Sequence, residues 1–401
     1  MKLVELPPLS LYVHIPWCIR KCPYCDFNSH EARGDVPEAQ YVDALVADLE
    51  SNLPEVWGRT LHTIFIGGGT PSLFEPASID RLITAIRTRL KVDPRAEITM
   101  EANPGTFEVE RFRGFRDAGV NRLSIGVQSF DDEKLAALGR VHGSDDARRA
   151  LATALEFFPT VNADLMYALP GQRLEEAVRD VEAAIAAGAQ HVSAYHLTLE
   201  PDTNFARFPP QLPGEDESAD MQEAIESSLA SAGFEHYETS AFARPGHRAM
   251  HNLNYWTFGD YLGIGAGAHG KISFRDRIVR TQRERKPQTF LATALAGRAE
   301  QQRREISADE MPFEFMLNAL RLVEGFPATL FPDRTGMPIS AIEAELSKAE
   351  SMGLVERDHS RIGPTRKGER FLNDLLELFL PSGRVRRTIP ISISPTDTPR
   401  P

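Results

Sequence analysis

From residue 11 to about residue 200 the chain alternates short apolar runs with stretches whose apolar residues recur every three or four positions. The runs are Leu11–Ile15, Thr63–Ile66, Glu97–Glu101, Arg122–Val127, Asn162–Met166 and His191–Tyr195. Between them, segments such as Pro37–Leu53, Ile79–Leu90, Phe107–Ala118 and Leu174–Ala187 read as amphipathic helices. Strand–helix alternation of this kind implies a parallel sheet with helices outside it. Six such units predict an α/β fold curled into a partial (β/α)6 barrel over residues 1–205, with its chemistry at the carboxyl ends of the strands.

Beyond the barrel the pattern changes. Residues 206–305 form an accessory region rich in aromatic, His and Gly residues, placed to close the barrel's open side. Within it, Gly265-x-Gly267-x-x-Gly270 matches a dinucleotide fingerprint in spelling only, because no helix pattern follows and Lys271-Ile-Ser-Phe reads as extended. Arg275 to Lys286 carries six basic residues in twelve and reads as a solvated edge strand. A helix from about Pro312 to Val323 opens residues 306–380. There Ile342–Met352, Gly353–Arg357, Ile362–Gly368 and Glu369–Leu380 follow as helix, strand, strand, helix, the order of a winged-helix-like domain. Thirteen acidic against eight basic residues over 307–380, a net of −5, argue against nucleic acid as its partner. Residues 381–401, with several prolines and serines, read as a disordered tail.

The whole chain of 401 residues carries a net charge of −12, which again excludes a protein that coats nucleic acid. No run approaches the roughly 18 to 20 apolar residues of a membrane span, and Met1–Pro8 lacks a secretory signal, so a cytoplasmic location is expected. Three cysteines cannot build a disulfide framework. All three, Cys18, Cys22 and Cys25, fall within eight consecutive positions, and the other 393 residues contain none.

Scattered cysteines would pass as small buried hydrophobes. Three at C-x3-C-x2-C, among Arg20, Lys21 and two prolines, read as a metal-binding loop after the first strand. Structural zinc would need a fourth ligand, which His14 or His30 could supply. A [4Fe–4S] cluster normally takes four thiolates; with three, one iron keeps an open position at which an exchangeable group can bind. Gly67-Gly-Gly-Thr-Pro71 follows the second strand and is not a phosphate loop, since no Lys-Ser/Thr pair opens a helix after it. Glu101, Gln128, Arg140 and Asp164 are polar residues within or beside apolar strands, where burial demands partners. Set at successive strand ends, they read as a polar lining for a ribose, an amine and a carboxylate.

The cysteine spacing, with Tyr24 before the last thiol, resembles the radical S-adenosylmethionine superfamily. That resemblance implies a partial (β/α)6 radical SAM barrel, a [4Fe–4S] cluster on Cys18, Cys22 and Cys25, and S-adenosylmethionine chelating the open iron. Ser124–Ser129, Leu138-Gly-Arg140 and Asp164–Gly171 resemble blocks of coproporphyrinogen-type radical enzymes, in which the residues matching Tyr12, Tyr24, Gly68, Gly69, Thr70, Glu101, Gln128, Arg140 and Asp164 contact the cosubstrate. Oxygen-independent coproporphyrinogen dehydrogenases carry a fourth cysteine two positions after the third and a longer N-terminal arm. Here Phe27 stands at that position and seventeen residues precede Cys18.

Cys22-Pro-Tyr-Cys-Asp-Phe27, Tyr195–Thr203, His251-Asn-x-x-Tyr-Trp256 and Asp260–His269 resemble instead the HemW family, described as haem chaperones. Asp202 and Ala168 stand where that family commonly has glycine. The resemblance implies haem as cargo, bound near the HNxxYW motif with His251 as candidate ligand, and a haem-acceptor protein as partner. His236, His247 and His269 are further candidate ligands, and a homodimer is left open. Neutral imidazole is an ordinary axial ligand of haem iron, and an aromatic pair can stack on a porphyrin face. The rival reading is a radical SAM oxidoreductase acting on coproporphyrinogen III or a related tetrapyrrole. A transfer-RNA-modifying enzyme fits poorly with the acidic C-terminal region.

Overall fold

A computed structural model describes residues 2–106 and 109–381. Its centre is a run of parallel strands in chain order: β1 (Leu9–Ile15), β2 (Thr60–Gly68), β3 (Lys91–Ala102), β4 (Arg122–Gln128), β5 (Thr160–Tyr167) and β6 (His191–His196). Helices α1 (Glu38–Val56), α2 (Pro76–Arg89), α3 (Val109–Ala118), α4 (Ser144–Phe157), α5 (Leu174–Ala186) and α6 (Glu215–Ser231) alternate with them. β1 and β6 are not hydrogen-bonded to each other, so the barrel is partial, as the alternation predicts. Three strand boundaries coincide with those of the apolar runs, and the others lie one to six residues away. The expected start of α3 at Phe107 lies outside the described residues.

Local sequence explains the helices. On α1, Tyr41, Leu45, Leu49 and Val56 lie on a buried stripe against the sheet. Three helices start with one device: a carboxylate in the first turn reaches back to a free backbone N–H. Asp146 accepts from Gly143 at 3.0 Å, Glu176 from Arg173 at 2.9 Å and Glu217 from Gly214 at 2.9 Å. Asp180 of α5 is buried and accepts from Ser129 Oγ (2.7 Å) and Phe130 N (2.6 Å), fixing the chain as it leaves β4. Ala168 and Asp202 have φ of +57° and +66°. Both therefore occupy the left-handed region that favours glycine.

The accessory residues extend the same sheet at both edges. Beyond β6 come β8 (Ala241–Ala243) and β7 (Glu235–Glu238). Beyond β1 come β9 (Asp260–Ile264), parallel to it, and then the antiparallel β10 (His269–Ser273), β11 (Ile278–Arg283) and β12 (Glu300–Glu305). The basic stretch read as an edge strand is therefore an interior one. β12, whose sequence Glu-Gln-Gln-Arg-Arg-Glu shows no apolar alternation, takes the edge. Arg283 of β11 is fully buried and donates to Asp48 of α1 at 2.8 Å; a cation there is paired, not solvated.

The HNxxYW stretch is a short helix, α7 (Met250–Trp256). Its amino end is held by Glu97, which accepts from the backbone N–H of Met250 and His251. The C-terminal region starts with α8 (Met311–Ala319) and contains a helix over Glu343–Ser351 and a hairpin of Val355–Arg357 with Arg361–Pro364. Two short helices, Arg366–Arg370 and Leu372–Glu377, follow. A second apolar core, including Phe315, Phe326, Phe331 and Leu346, packs against Phe258 and Ile278 of the accessory region. Among the described residues no helix is long and apolar enough to cross a membrane.

Candidate functional site

After β1 the chain enters the cysteine loop. Its neck is closed by a short parallel ladder, Trp17–Cys18 against His30–Glu31, with Ala32 N donating to Cys18 O at 2.8 Å. Within it, Cys25 N donates to Cys22 O (3.2 Å), and Lys21 Nζ donates to the carbonyls of Phe27 and Ser29. Asn28 clamps the loop to the loops that follow β9 and β11, its Nδ2 donating to the carbonyls of Ala266 (2.9 Å) and Arg285 (2.8 Å). This clamp requires Gly267, whose φ is +79° and where an added Cβ would lie 2.3 Å from Asn28 Nδ2. The glycine-rich 265–270 stretch thus lets two loops meet, and is no dinucleotide fingerprint.

Of the thirteen residues that the resemblance assigns to the cluster, the cosubstrate and the haem motif, eleven line one cavity of about 380 Å³ at the carboxyl ends of β1–β5; Tyr12 and His251 do not. Cys18, Cys22 and Cys25 are free and half-buried along it. Among the described residues no three His, Cys, Asp or Glu side chains are grouped to hold a single metal ion. Three thiols spread along one cavity suit a cubane better, because each then meets a different iron. Burial pushes the Cys18 thiol up to about 11 and raises Cys25 as well, so their thiolates call for a cationic partner. Arg140 supplies part of it, with Nη1 3.6 Å from Cys22 Sγ. Its Nε is buried without a hydrogen-bond partner, a donor left over for an anionic group. These observations fit a cluster with a carboxylate-bearing ligand beside it.

The cavity walls are cross-braced. Arg140 Nη2 donates to Asn103 Oδ1 (2.7 Å) and to Gly126 O (2.8 Å), while Asn103 Nδ2 donates to Thr70 Oγ1 (2.8 Å). Sequence reasoning missed Asn103; its signal was its place immediately after β3, two residues beyond Glu101. Gln128 ends β4 with φ at +68°, a conformation that costs a non-glycine residue about 1 kcal/mol. Asp164 accepts from Ser124 Oγ and Asn162 Nδ2, each at 2.8 Å. Gly68 N donates to Glu101 Oε2 at 2.9 Å. An added Cβ at Gly68, with φ at +119°, would lie 2.5 Å from His14 Cε1, so the triple glycine is required by its own neighbours before any ligand arrives. Burial, opposed by the Gly68 N–H and reinforced by Asp164, pushes the Glu101 carboxyl up to about 8.

A second, open cavity of about 730 Å³ adjoins the first, sharing Gly68, Glu101, Asp26 and Phe27 with it. Tyr12 faces this one, as do Tyr255 and Trp256 of α7. Tyr12 donates to His14 Nδ1 (2.9 Å), and His14 Nε2 donates to Asn28 O (3.0 Å), which ties the cavity wall to the cysteine loop. His251 lies behind that wall, buried. Thr63 Oγ1 donates to Ser10, so the His251 Nδ1–H donates to Thr63 at 2.7 Å, and Nε2 accepts from the Tyr255 hydroxyl at 2.8 Å. Both ring nitrogens are thus occupied, and burial holds the imidazole neutral, its pKa lowered to about 3.

Residues 12–184 match the Radical SAM superfamily, and residues 306–371 match the HemN C-terminal domain. The chain is 49% identical to the heme chaperone HemW of Escherichia coli (strain K12), over 94% of this chain and 100% of that one. It is 45% identical to heme chaperone HemW of Haemophilus influenzae, over 94% and 99%. It is 35% identical to the mitochondrial radical S-adenosyl methionine domain-containing protein 1 of Bos taurus, over 92% and 86%. The fold is that of Escherichia coli coproporphyrinogen III oxidase (HemN), with a TM-score of 0.79 at 24% identity over 93% of this chain and 90% of that one. Such identity across whole chains settles the family: this protein belongs to the HemW family of the radical SAM superfamily.

Proposed function

We propose that this protein is a cytoplasmic haem chaperone that holds a [4Fe–4S] cluster on Cys18, Cys22 and Cys25, binds S-adenosylmethionine beside it, and passes haem to an acceptor protein. The observation that carries this reading is the pairing of two cavities. One is lined by the thiols and strand-end polar groups; the other is open and walled by Tyr255 and Trp256; they meet at Gly68 and Glu101. When bound, the cluster supplies an iron with a free coordination position and a store for one electron. Arg140 offers its unpartnered Nε to the cosubstrate's carboxylate, and Glu101 and Asp164 face its ammonium and ribose. Gln128 holds the edge of the same cavity.

Glu101 makes the binding step pH-dependent. With its pKa near 8 the carboxyl is largely protonated at neutral pH. A cationic ligand favours the ionised form, so binding below pH 8 releases a proton, approaching about one per site, and affinity rises as the pH is raised toward 8. Calorimetry of S-adenosylmethionine binding at pH 7, in two buffers of different ionisation enthalpy, is expected to give different apparent heats. Equal heats would remove Glu101 from this role.

The function is tested by titrating anaerobically reconstituted protein with ferric haem, and by incubating the reduced protein with coproporphyrinogen III and S-adenosylmethionine. Saturable haem binding without protoporphyrinogen formation is the expected result. Protoporphyrinogen appearing in the second experiment would replace the chaperone by the oxidoreductase.

A further inference from the structure

We propose that the second cavity is the seat of the haem, with the imidazole of His269 as the iron ligand and the guanidinium of Arg285 as the partner of a propionate. This rests on the haem-chaperone reading above and adds to it the place and the ligand.

The inference follows from what faces the cavity and what is already used. A porphyrin needs an open, mostly apolar slot with a few convergent polar groups, and about 730 Å³ lies within the range of such sites. Aromatic rings border it: Tyr255 and Trp256 from α7, Tyr261 from β9, and Phe27 from the cysteine loop. Phe27 is 59% exposed, an unusual state for a phenyl ring at the rim of a cleft.

Three histidines lie at or near the cavity, and two are spent. His14 bridges Tyr12 and Asn28, and His251 bridges Thr63 and Tyr255. His269, at the start of β10, faces the cavity and is exposed, and its ring makes no hydrogen bond to any described residue. Across the ladder it pairs with Gln282 of β11, which lines the same cavity. The ring meets solvent on one side and the cavity wall on the other, and this partial desolvation, with Arg280 and Arg285 nearby, lowers its pKa and favours the neutral form that keeps a lone pair for a metal.

The charges divide in the same way. Arg280 is committed to Glu314 and Tyr261. Arg285 is exposed at the rim with no carboxylate in ion-pair distance among the described residues. It is therefore the cation left for an acidic side arm. His251 acquires a different role: its Nε2 fixes the hydroxyl of Tyr255, and so the ring that faces the porphyrin.

The test uses the full chain with its cluster reconstituted, titrated in parallel with ferric haem and with metal-free protoporphyrin IX. His269→Ala is expected to lose the spectrum of imidazole-ligated haem and to weaken haem binding by about tenfold or more, the scale at which even outer-shell partners of a metal act. Free imidazole is expected to restore the spectrum, and protoporphyrin IX, which offers no iron, is expected to bind the variant as it binds the wild type. Arg285→Ala is expected to weaken both porphyrins by about three- to fivefold, as befits an exposed ion pair. His251→Asn is expected to keep the imidazole-ligated spectrum. The proposal is overturned if His269→Ala keeps that spectrum, or if it weakens haem and protoporphyrin IX alike. A wild-type protein that binds neither porphyrin would overturn the haem reading beneath it.

Discussion

Replacing Cys22 by serine is expected to abolish the cluster, taking iron from about four per chain to near zero after anaerobic reconstitution. Cys18→Ser and Cys25→Ser are expected to do the same, because no other thiol exists in the 401 residues to substitute. Arg140→Met separates holding the cluster from tuning it. Arg140 is no ligand, yet its Nη1 lies 3.6 Å from Cys22 Sγ. Removing that positive donor is expected to leave the iron content unchanged while moving the reduction potential to more negative values, since the reduced cluster carries the extra negative charge. Iron and sulfide quantification with a redox titration reads both. A Cys22→Ser protein retaining a full complement of iron would dismiss the assignment of the ligands.

The largest effect on stability is expected at Asp260, the first residue of β9. Its carboxylate is fully buried, 2.9 Å from Lys271 Nζ and 2.9 Å from Arg59 Nη1, and accepts from Ser273 N (3.0 Å) and Ser273 Oγ (2.8 Å). Lys271 also lies over the Phe258 ring at 4.1 Å. Asp260→Asn leaves the Lys271 ammonium buried without its counter-charge and is expected to cost about 3–5 kcal/mol in urea or thermal unfolding. Adding Lys271→Met is expected to recover part of that loss, since the more deeply buried of the two orphaned cations, Lys271 and Arg59, is then gone. Burial alone would raise the Asp260 pKa, but Lys271 and Arg59 outweigh it and hold the group below the usual carboxylate range. Its contribution is therefore complete above about pH 4, the unfolded value, and is lost as the pH falls through the lower folded value. Wild type and variant converge in acid. A loss under about 1 kcal/mol at neutral pH would mean that the pair is not what fixes β9 to β10. The loop between those two strands carries Gly267 and leads into His269, so this buried pair also holds the second cavity's wall.

Much of the fold was legible because the buried strands and amphipathic helices repeat six times with clear periods. The cysteine loop was legible because chance seldom gathers every thiol of a 401-residue chain into eight positions, whereas a metal centre needs them together. β12 was not, because a strand of six polar residues shows no alternation, and without it Arg275–Lys286 has the pattern of an edge. His251 illustrates a second limit. The HNxxYW spelling singles out His251, but only the packing of Thr63 and Tyr255 around the imidazole reveals that its nitrogens are engaged. Asn28 carries no sequence signal, because a lone asparagine in a loop has no period, and Asn103 is marked only by its place just after β3. Their clamps span 257 and 37 residues of sequence. The glycine-rich stretch at 265–270 is legible as no nucleotide site, although its purpose, close approach to the cysteine loop, emerges only from the contact with Asn28.

With only three thiolates to hold it, the proposed cluster would leave one iron open to S-adenosylmethionine. Electron paramagnetic resonance of the reduced, reconstituted protein, recorded with and without that cosubstrate, tests it most directly. The spectrum is expected to change on addition, in a sample holding about four irons per chain. A spectrum identical in both samples, or a protein that takes up zinc in place of iron, would contradict it.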